Sequence, residues 1–378
     1  MTKACYIIAV LGIFAGIANA DAAGTDQPMF IFGGFGSMGI SHSSMGSGDY
    51  VPDSSIPSGP GRTAAWSTTN DTRIAGNVAA QFTPKISALL QIDSEYHSGN
   101  TYQPEVEWAH VKYAFTPEAS IRVGRLALPT FMEAENRDIG YTYAWIHPPV
   151  EVYRQEPITN SDGFDVTYRS QVGEWGNSIK ALYGSAMRQT YASPIPSDLT
   201  SRNLWGIFDT AEYGSTTIHA AFQQRKTDSG YMLTGQGETQ VTDRDLSAGV
   251  QYDPGDWFMM SEWILRESTY KTSAMYVSGG YRIQKFTPYL TYAQNSSGSF
   301  LPDSPPPSQD AIMLANREQS TISLGMRWDF MKNTDLKLQF DQVMLSANSN
   351  GYLENVPANA TLFGSTFHVI SAVVDFIF

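Results

Sequence analysis

The sequence predicts an all-β protein: a transmembrane antiparallel β-barrel of about 16 strands, with short turns at one end and long loops at the other. Three observations lead to this fold class. The C-terminal segment alternates and ends on an aromatic residue, hairpins follow one another regularly, and an aromatic residue lies near every tight turn. A period of two with one apolar face is typical of a half-buried strand. A closed barrel is the arrangement that lets strands cross lipid with no unpaired backbone groups.

The final eleven residues form the clearest strand. Counting back from Phe378, every second residue is apolar, while Asp375 and Ser371 occupy the other face. In water, a strand that ends on phenylalanine would leave a frayed hydrophobic end. In a barrel, Phe378 and Phe376 would belong to an aromatic girdle at the membrane boundary.

The first 20 residues predict a cleaved signal peptide. Lys3 precedes an apolar run that is too short for a membrane helix. The run ends in the small-residue cleavage pattern Ala18-Asn19-Ala20. Residues 21–378 are then predicted to form a single barrel domain. The only cysteine, Cys5, lies in the leader, which excludes disulfides and thiolate metal sites from the mature chain.

The net negative charge of the chain limits the classes of partner that we expect. Removing residues 1–20 removes Lys3 and no acid, which leaves 23 basic and 37 acidic residues and a formal charge of −14. Nucleic acid is a poor partner for such a surface, and small cations or neutral solutes are better ones. We expect no metal, because the six histidines are scattered. We also expect no cofactor, because the Gly34–Gly39 G-x-G-x-x-G is not followed by a helix-forming segment.

Seven predicted hairpins run through the middle of the chain, from Thr72–Phe82 paired with Ile86–Tyr96 to Ile322–Phe330 paired with Leu336–Met344. An opening strand near Phe30–Ser41 and the closing strand make 16. An aromatic residue lies near each tight turn. These residues are Phe82, Phe115, Trp175, Tyr213, Tyr252, Trp257, Phe286 and Phe330.

The alternation also assigns faces. In the strand Ile322–Phe330 the apolar set is predicted to face lipid, and the polar set, which includes Arg327, is predicted to line a watery lumen. The strand Leu204–Tyr213 breaks this parity, which indicates a bulge or a contact with a neighbouring subunit.

Residues 129–160 form a long segment without a period of two. Loops of this length are uncommon unless they are functional or disordered. This one is rich in apolar residues, among them Phe131, Tyr141, Tyr143, Trp145 and Tyr153, which indicates packing against another surface. The inside of the barrel wall is the predicted surface.

The strand end Arg122-Val-Gly-Arg125-Leu126 before this loop, together with the leader, the strand rhythm and the final strand, resembles trimeric general porins of Gram-negative outer membranes. The nearest type is that of neisserial and β-proteobacterial porins. The resemblance implies periplasmic turns, extracellular loops, a third loop folded into the lumen, a homotrimer in outer-membrane lipid, and a terminal strand that serves as a signal to the barrel-assembly machinery. The Pro-Glu-Phe-Gly-Gly loop tip of enteric porins is absent.

The resemblance also implies a pore constriction, with acidic and basic loop residues set against a basic wall residue. The alternative is that these charges only solvate an outer loop. The constriction candidates are Glu133, Glu135, Arg137 and Asp138 on the loop and Arg125 on the wall, with Glu151, Arg154 and Glu156 as weaker ones. Further expected lumen residues are Arg73, Asp93, Glu95 and Arg327.

We therefore expect an outer-membrane porin for passive diffusion of small hydrophilic solutes and ions, weakly cation-preferring and not an enzyme. One alternative is a channel specific for carbohydrate or carboxylate, in which Tyr141, Tyr143 and Trp145 form a sliding surface. A second alternative is a non-conducting barrel, either an enzyme or an adhesin.

Overall fold

The computed structural model describes residues 29–192, 195–229, 239–300, 316–357 and 359–378. The predicted leader, 1–20, lies outside the described residues. Each long strand pairs antiparallel with the next one along the chain, and the last strand pairs with the first from Phe35 opposite Ile377 to Ser43 opposite Val369. The sheet is therefore closed, and the predicted fold class is confirmed.

Sixteen strands form the wall. Besides these, the described residues contain a two-residue strand at Trp66–Ser67, a 3-10 turn at Gly140–Thr142 and one helical turn, α1, at Val150–Tyr153. The wall strands are β1 Met29–Ser43, β2 Arg73–Thr83, β3 Ile86–Glu95, β4 Glu105–Ala114, β5 Ala119–Ala127, β6 Asn160–Val172, β7 Trp175–Ala192, β8 Ile195–Tyr213, β9 Thr216–Ser229, β10 Thr239–Tyr252, β11 Trp257–Glu267, β12 Tyr270–Tyr281, β13 Phe286–Phe300, β14 Gln319–Met331, β15 Thr334–Leu345 and β16 Thr366–Ile377.

The strands extend further at the long-loop end than the alternation predicts. β9 runs to Ser229 rather than Arg225, and β10 begins at Thr239 rather than Leu246. Only residues 193–194 separate β7 from β8, and only 268–269 separate β11 from β12. The seven tight turns of the sequence alternate with eight predicted longer loops, and this prediction is wrong for the fourth and sixth loops. These extensions carry polar residues on both faces, so no hydrophobic period marks them.

The two faces of the wall follow the predicted parity. On β14, Leu324 is 61% exposed and Trp328 is 40% exposed on the outside, while Ser323 is buried on the inside. The strand Leu204–Tyr213, where the sequence breaks the parity, contains no bulge: its apolar Leu204 and Phe208 lie buried on the inner face. The bulge of β8 lies just before this segment at Asn203, where φ is 49° and the pairing with both neighbouring strands shifts. No helix within the described residues is long and apolar enough to cross a membrane.

Aromatic side chains ring the short-turn end on the outer face. Trp175 stacks on Tyr213 with ring centroids 5.0 Å apart, and Phe286 stacks on Trp328 at 5.8 Å. Exposed aromatic rings in a band are typical of a membrane–water boundary. The girdle predicted from the turns is therefore present.

The girdle meets the closing seam at two glycines of β1. The backbone N–H of Gly34 donates to the carbonyl of Phe378 at 3.0 Å, and that of Phe378 donates back to Gly34 at 3.0 Å. The rings of Phe378 and Phe376 cover Gly34 and Gly36, because an added Cβ would come within 2.4 and 2.5 Å of their Cζ atoms. These two glycines of the first wall strand therefore provide space for the rings of Phe378 and Phe376.

Candidate functional site: the third loop and the charged cleft

The third loop, residues 128–159, lies inside the barrel. Its Glu135 pairs with Lys180 of β7 at 2.6 Å, and the backbone N–H of Met132 donates to Glu262 of β11 at 2.8 Å. On another part of the wall, Lys337 of β15 donates to the carbonyl of Gly140 at 2.5 Å. These strands lie around the wall, and their contacting side chains point inward. The loop therefore crosses the lumen, as predicted.

Apolar packing fixes the middle of this loop. Phe131, Trp145 and Tyr153 form a buried cluster with wall residues of β11 to β13. The indole N–H of Trp145 donates to the hydroxyls of Ser278 at 2.8 Å and Thr291 at 3.1 Å. A segment is held in one position when its aromatic rings are buried and the polar atoms of those rings form hydrogen bonds.

This packing removes the basis for an aromatic sliding surface. Trp145 is 3% exposed and Tyr143 is 8% exposed, so neither ring is available to a solute. Tyr141 lies beneath the guanidinium of Arg327 at 4.7 Å, and that guanidinium also donates to the carbonyls of Tyr141 and Tyr143. Arg327 therefore lies on the inner face of the wall, where it holds the loop in place.

A buried ion cluster holds the C-terminal end of the loop. Glu156 pairs with Arg225 of β9 at 2.6 Å, and Arg225 also lies 3.2 Å from Asp245 and 3.4 Å from Asp243 of β10. Arg266 of β11 completes the group, 3.2 Å from Asp243. We call these five residues the exit latch. Three carboxylates share two guanidiniums, so loss of either guanidinium leaves buried charge uncompensated.

The other two weaker candidates also anchor the loop. Glu151 is 1% exposed and accepts hydrogen bonds from Gln319 and Thr321. Arg154 donates to the carbonyl of Val51 at 2.7 Å and pairs with Glu354. Both side chains therefore hold the loop against its surroundings and do not line the open cleft beside it.

The open part is a cleft with an empty volume of about 700 Å³ on the side of β1 to β4. We call it the charged cleft. Its six carboxylates and three guanidiniums give it a formal charge of −3. They are Asp53, Asp71, Arg73, Asp93, Glu95, Glu107, Arg137, Asp138 and Arg188.

The three arginines of the cleft are already paired. Arg73 contacts Asp138 at 2.5 Å and Glu95 at 3.3 Å. Arg137 and Arg188 both contact Asp53 of the first loop, at 2.8 and 3.1 Å. Burial alone would raise the pKa of Asp53, but these two guanidiniums hold it below its ordinary value.

Of the predicted site residues, the charged cleft brings together Arg73, Asp93, Glu95, Arg137 and Asp138. Glu133 and Glu135 lie elsewhere on the loop. Glu135 faces Lys180 and Arg122, and these cations lower its pKa to about 2 although burial opposes the shift. The loop charges thus lie in two groups rather than in one constriction.

The predicted position of Arg125 is wrong. It shares the outward parity of Val123, which is 55% exposed, and it pairs with Asp162 at 2.8 Å on the outer face. Arg122 is the inward residue of this segment and contacts Asp165 at 2.5 Å and Glu135 at 3.6 Å. Two residues three apart lie on opposite faces of a strand. The apolar pair Ile121 and Val123 was the signal for that parity.

Four cleft residues were missed, namely Asp53, Asp71, Glu107 and Arg188. The first two lie on the irregular first loop, where no period assigns a direction. Arg188 lies in the unpredicted extension of β7. The side chain of Glu107 faces the lumen because of a bulge in β4.

The site gives one prediction on pH. Burial and the nearby Glu262 raise the pKa of Glu133, a loop residue, to about 7. The folded state then holds more protons than the unfolded state between pH 4.5, the ordinary pKa of a glutamate, and pH 7, so stability falls as pH rises through this window. We expect the thermal unfolding midpoint to fall from pH 5 to pH 8. Glu133→Gln should flatten this slope, whereas Glu174→Gln, in a tight turn, should leave it. If the unfolding midpoint of the wild type and of both variants had the same dependence on pH, Glu133 would not be the group responsible.

Comparison with known proteins gives the fold and no close relative. No protein-family model matches the chain, and no curated protein matches it in sequence. The outer membrane channel DcaP of Acinetobacter baumannii is 12% identical with a TM-score of 0.61, covering 94% of this chain and 99% of that one. An anion-selective porin from Comamonas acidovorans is 11% identical with a TM-score of 0.57, covering 93% and 100%.

A third solved structure, Salmonella typhi OmpF in complex with daunomycin, is 14% identical with a TM-score of 0.57, covering 93% of this chain and 98% of that one. Likeness at this identity establishes architecture. The chain therefore has the fold of the outer-membrane porins, a multi-pass β-barrel with sixteen wall strands and an inward third loop.

Proposed function

We propose that the protein is a porin of a Gram-negative outer membrane, through which small hydrophilic solutes and ions diffuse passively. One observation carries this proposal: a closed barrel whose third loop lies in the lumen and leaves a charged cleft beside it. Passive diffusion requires a polar passage and no energy source. Porins and channels among the structures of the same fold support this function.

We propose a modest preference for cations. The charged cleft carries a formal charge of −3, and rings of like charge in a narrow passage raise the local concentration of counter-ions. Asp138 on the loop and Glu95 on the wall, both near Arg73, are the proposed constriction residues. The preference would be opposite to that of the Comamonas porin, which is described as anion-selective.

The remaining features of the proposal concern assembly. Residues 1–20 are proposed to be removed on export. The seam residues Phe376 and Phe378 are proposed to be read by the barrel-assembly machinery. A homotrimer in outer-membrane lipid is the proposed state, and a solved structure of the same fold is described as a trimer form.

Single-channel recording in a planar bilayer tests the proposal. We expect discrete openings, closing in threes, and a reversal potential in a KCl gradient that shows K⁺ to be more permeant than Cl⁻. Asp138→Asn with Glu95→Gln should move the reversal potential toward zero. The matched control is Asp162→Asn, which removes an acid from the outer face and should leave the reversal potential unchanged.

A folded barrel that passes no current would overturn the porin function and favour the enzyme or adhesin alternatives. A reversal potential showing higher chloride permeability would leave the porin but overturn the cation preference. The two parts of the proposal are thus tested separately.

A further inference from the structure

Asp93 is a carboxylate without a partner in the wall of the charged cleft. It points inward from β3, is 5% exposed, and lines the cleft. Within the described residues its carboxylate forms no hydrogen bond or ion pair of the kind that its neighbour Glu95 forms with Arg73. A buried carboxylate is costly unless a cation or a donor compensates it. The protein therefore leaves room here for a positive group from outside the chain.

A second carboxylate is turned toward the same cleft by a bulge. Gln91 of β3 pairs with Trp108 of β4, but the next residue of β3, Ile92, pairs with Val106. Glu107 is therefore an extra residue of β4 without a pairing partner on β3. Without the bulge, Glu107 would share the outward parity of Val111, which is 51% exposed. Bulges commonly redirect a side chain at functional sites. This one brings a charge that would have faced lipid into the lumen.

The bulged carboxylate is held in place by neutral groups. Glu107 accepts hydrogen bonds from the hydroxyl of Thr159 at 3.3 Å and from the side-chain amide of Asn160 at 3.0 Å, where the third loop ends. These donors orient the carboxylate without neutralising it. Within the described residues no arginine forms an ion pair with it, because Arg73, Arg137 and Arg188 are engaged by Asp138, Glu95 and Asp53.

The arrangement fits an organic cation better than a metal ion. Within the described residues no group of three histidine or carboxylate side chains has the spacing to hold a metal ion. The cleft is instead open to solvent and is not closed around a single ion. With its three arginines engaged, the described lining of the cleft offers no unpaired guanidinium to a carboxylate of the solute.

We propose that the charged cleft binds organic cations that carry an amine or guanidinium group, with Asp93 and Glu107 contacting the positive group. The inference rests on the proposed function, because the solute reaches the cleft through the channel. It adds a saturable site to a passage that is otherwise diffusive.

Channel block and direct binding test the site. Agmatine and 1,4-diaminobutane, added to a conducting protein in KCl, should reduce the current in a saturable manner, whereas the neutral analogue 1,4-butanediol should not. Asp93→Asn with Glu107→Gln should weaken the apparent affinity by about tenfold or more, as expected when a charged hydrogen-bonded contact is lost. Asp162→Asn, which changes an acid on the outer face, is the control that should retain full affinity.

Titration calorimetry on the folded wild-type protein in detergent separates the two proposals. Saturable heat from agmatine that is lost in the double variant supports the site even where no current is recorded, and the porin function then fails alone. Current without saturable block or heat overturns the site and leaves the porin. Equal block by 1,4-butanediol, or unchanged affinity in the double variant, also overturns it.

Discussion

Replacing Arg225 with methionine is expected to lower the free energy of unfolding by about 3–5 kcal/mol, the usual cost of breaking a buried ion pair on one side. Arg225 is 1% exposed, and its guanidinium lies 2.6–3.4 Å from all three carboxylates of the exit latch, Glu156, Asp243 and Asp245. Arg266 also contacts all three, but it lies 3.9 Å from both Glu156 and Asp245. The loss of Arg225 leaves only Arg266 to compensate them.

The size of this effect follows from the charge count of the exit latch. With both arginines present the cluster carries a formal charge of −1, and the methionine variant carries −2 in the same buried volume. Glu156→Gln changes the formal charge of the cluster from −1 to zero. The glutamine keeps an amide oxygen that can accept a hydrogen bond from Arg225. We therefore expect a much smaller loss of stability from Glu156→Gln, although both changes remove the same ion pair.

Urea unfolding in detergent, followed by tryptophan fluorescence, measures both variants. The matched control is Arg202→Met, because Arg202 pairs with Asp228 across the neighbouring strands β8 and β9 but its side chain is 66% exposed. Exposed pairs contribute about 0–1 kcal/mol. If Arg225→Met costs no more than this control, the exit latch does not stabilise the loop.

The same variant should also change the channel. Glu156 is the loop member of the exit latch, and without Arg225 it loses its closer ion pair with the wall and keeps only Arg266 at 3.9 Å. We expect more frequent brief closures in single-channel records of Arg225→Met than of the Arg202→Met control. Identical gating would indicate that the apolar cluster around Trp145 alone holds the loop.

The wall strands were predictable because lipid and water impose opposite demands on alternate residues. Leu324 must meet an apolar solvent and Ser323 an aqueous one, so the period of two appears in the sequence itself. That demand ends where strands extend beyond the membrane. The extension of β9 from Lys226 to Ser229 therefore carried no signal, although its backbone pairs as regularly as the rest.

The site was less predictable because it depends on single-residue parity and on contacts between distant loops. The choice between Arg122 and Arg125 required the parity of one strand, and the bulge at Glu107 reverses the parity that simple alternation assigns. The pairing of Asp53 with Arg137 joins two loops 84 residues apart. Neither loop has a period from which a side-chain direction follows.

The closing seam supplies the second large effect. Changing Gly34 to alanine is expected to destabilise the barrel by about 1–3 kcal/mol, the usual cost of overpacking, and to slow its closure. The new Cβ would lie 2.4 Å from the ring of Phe378 and 2.5 Å from the carbonyl oxygen of Ala75. The ring can rotate away, but the carbonyl belongs to the backbone of β2, so β1 and β2 must separate slightly beside the seam.

Gly76 is the matched control for this change. It lies on β2 directly opposite Gly34, it is exposed, and an added Cβ there would meet no atom within 4 Å. Alanine at both positions removes the same backbone freedom, so the difference between the two variants isolates the crowding at the seam. Folding yield and the temperature of the heat-induced mobility shift on electrophoresis measure it.

The double variant Gly34→Ala with Phe378→Ala distinguishes the ring from the backbone. If crowding by the ring dominates, removing Phe378 costs less in the alanine background than in the wild type, because neighbouring substitutions that share a contact are not additive. If the two losses simply add, the carbonyl of Ala75 is the obstacle, and the ring of Phe378 contributes to the seam independently of Gly34. Equal stability of the Gly34→Ala and Gly76→Ala variants would refute the fit of rings into glycine gaps at the seam.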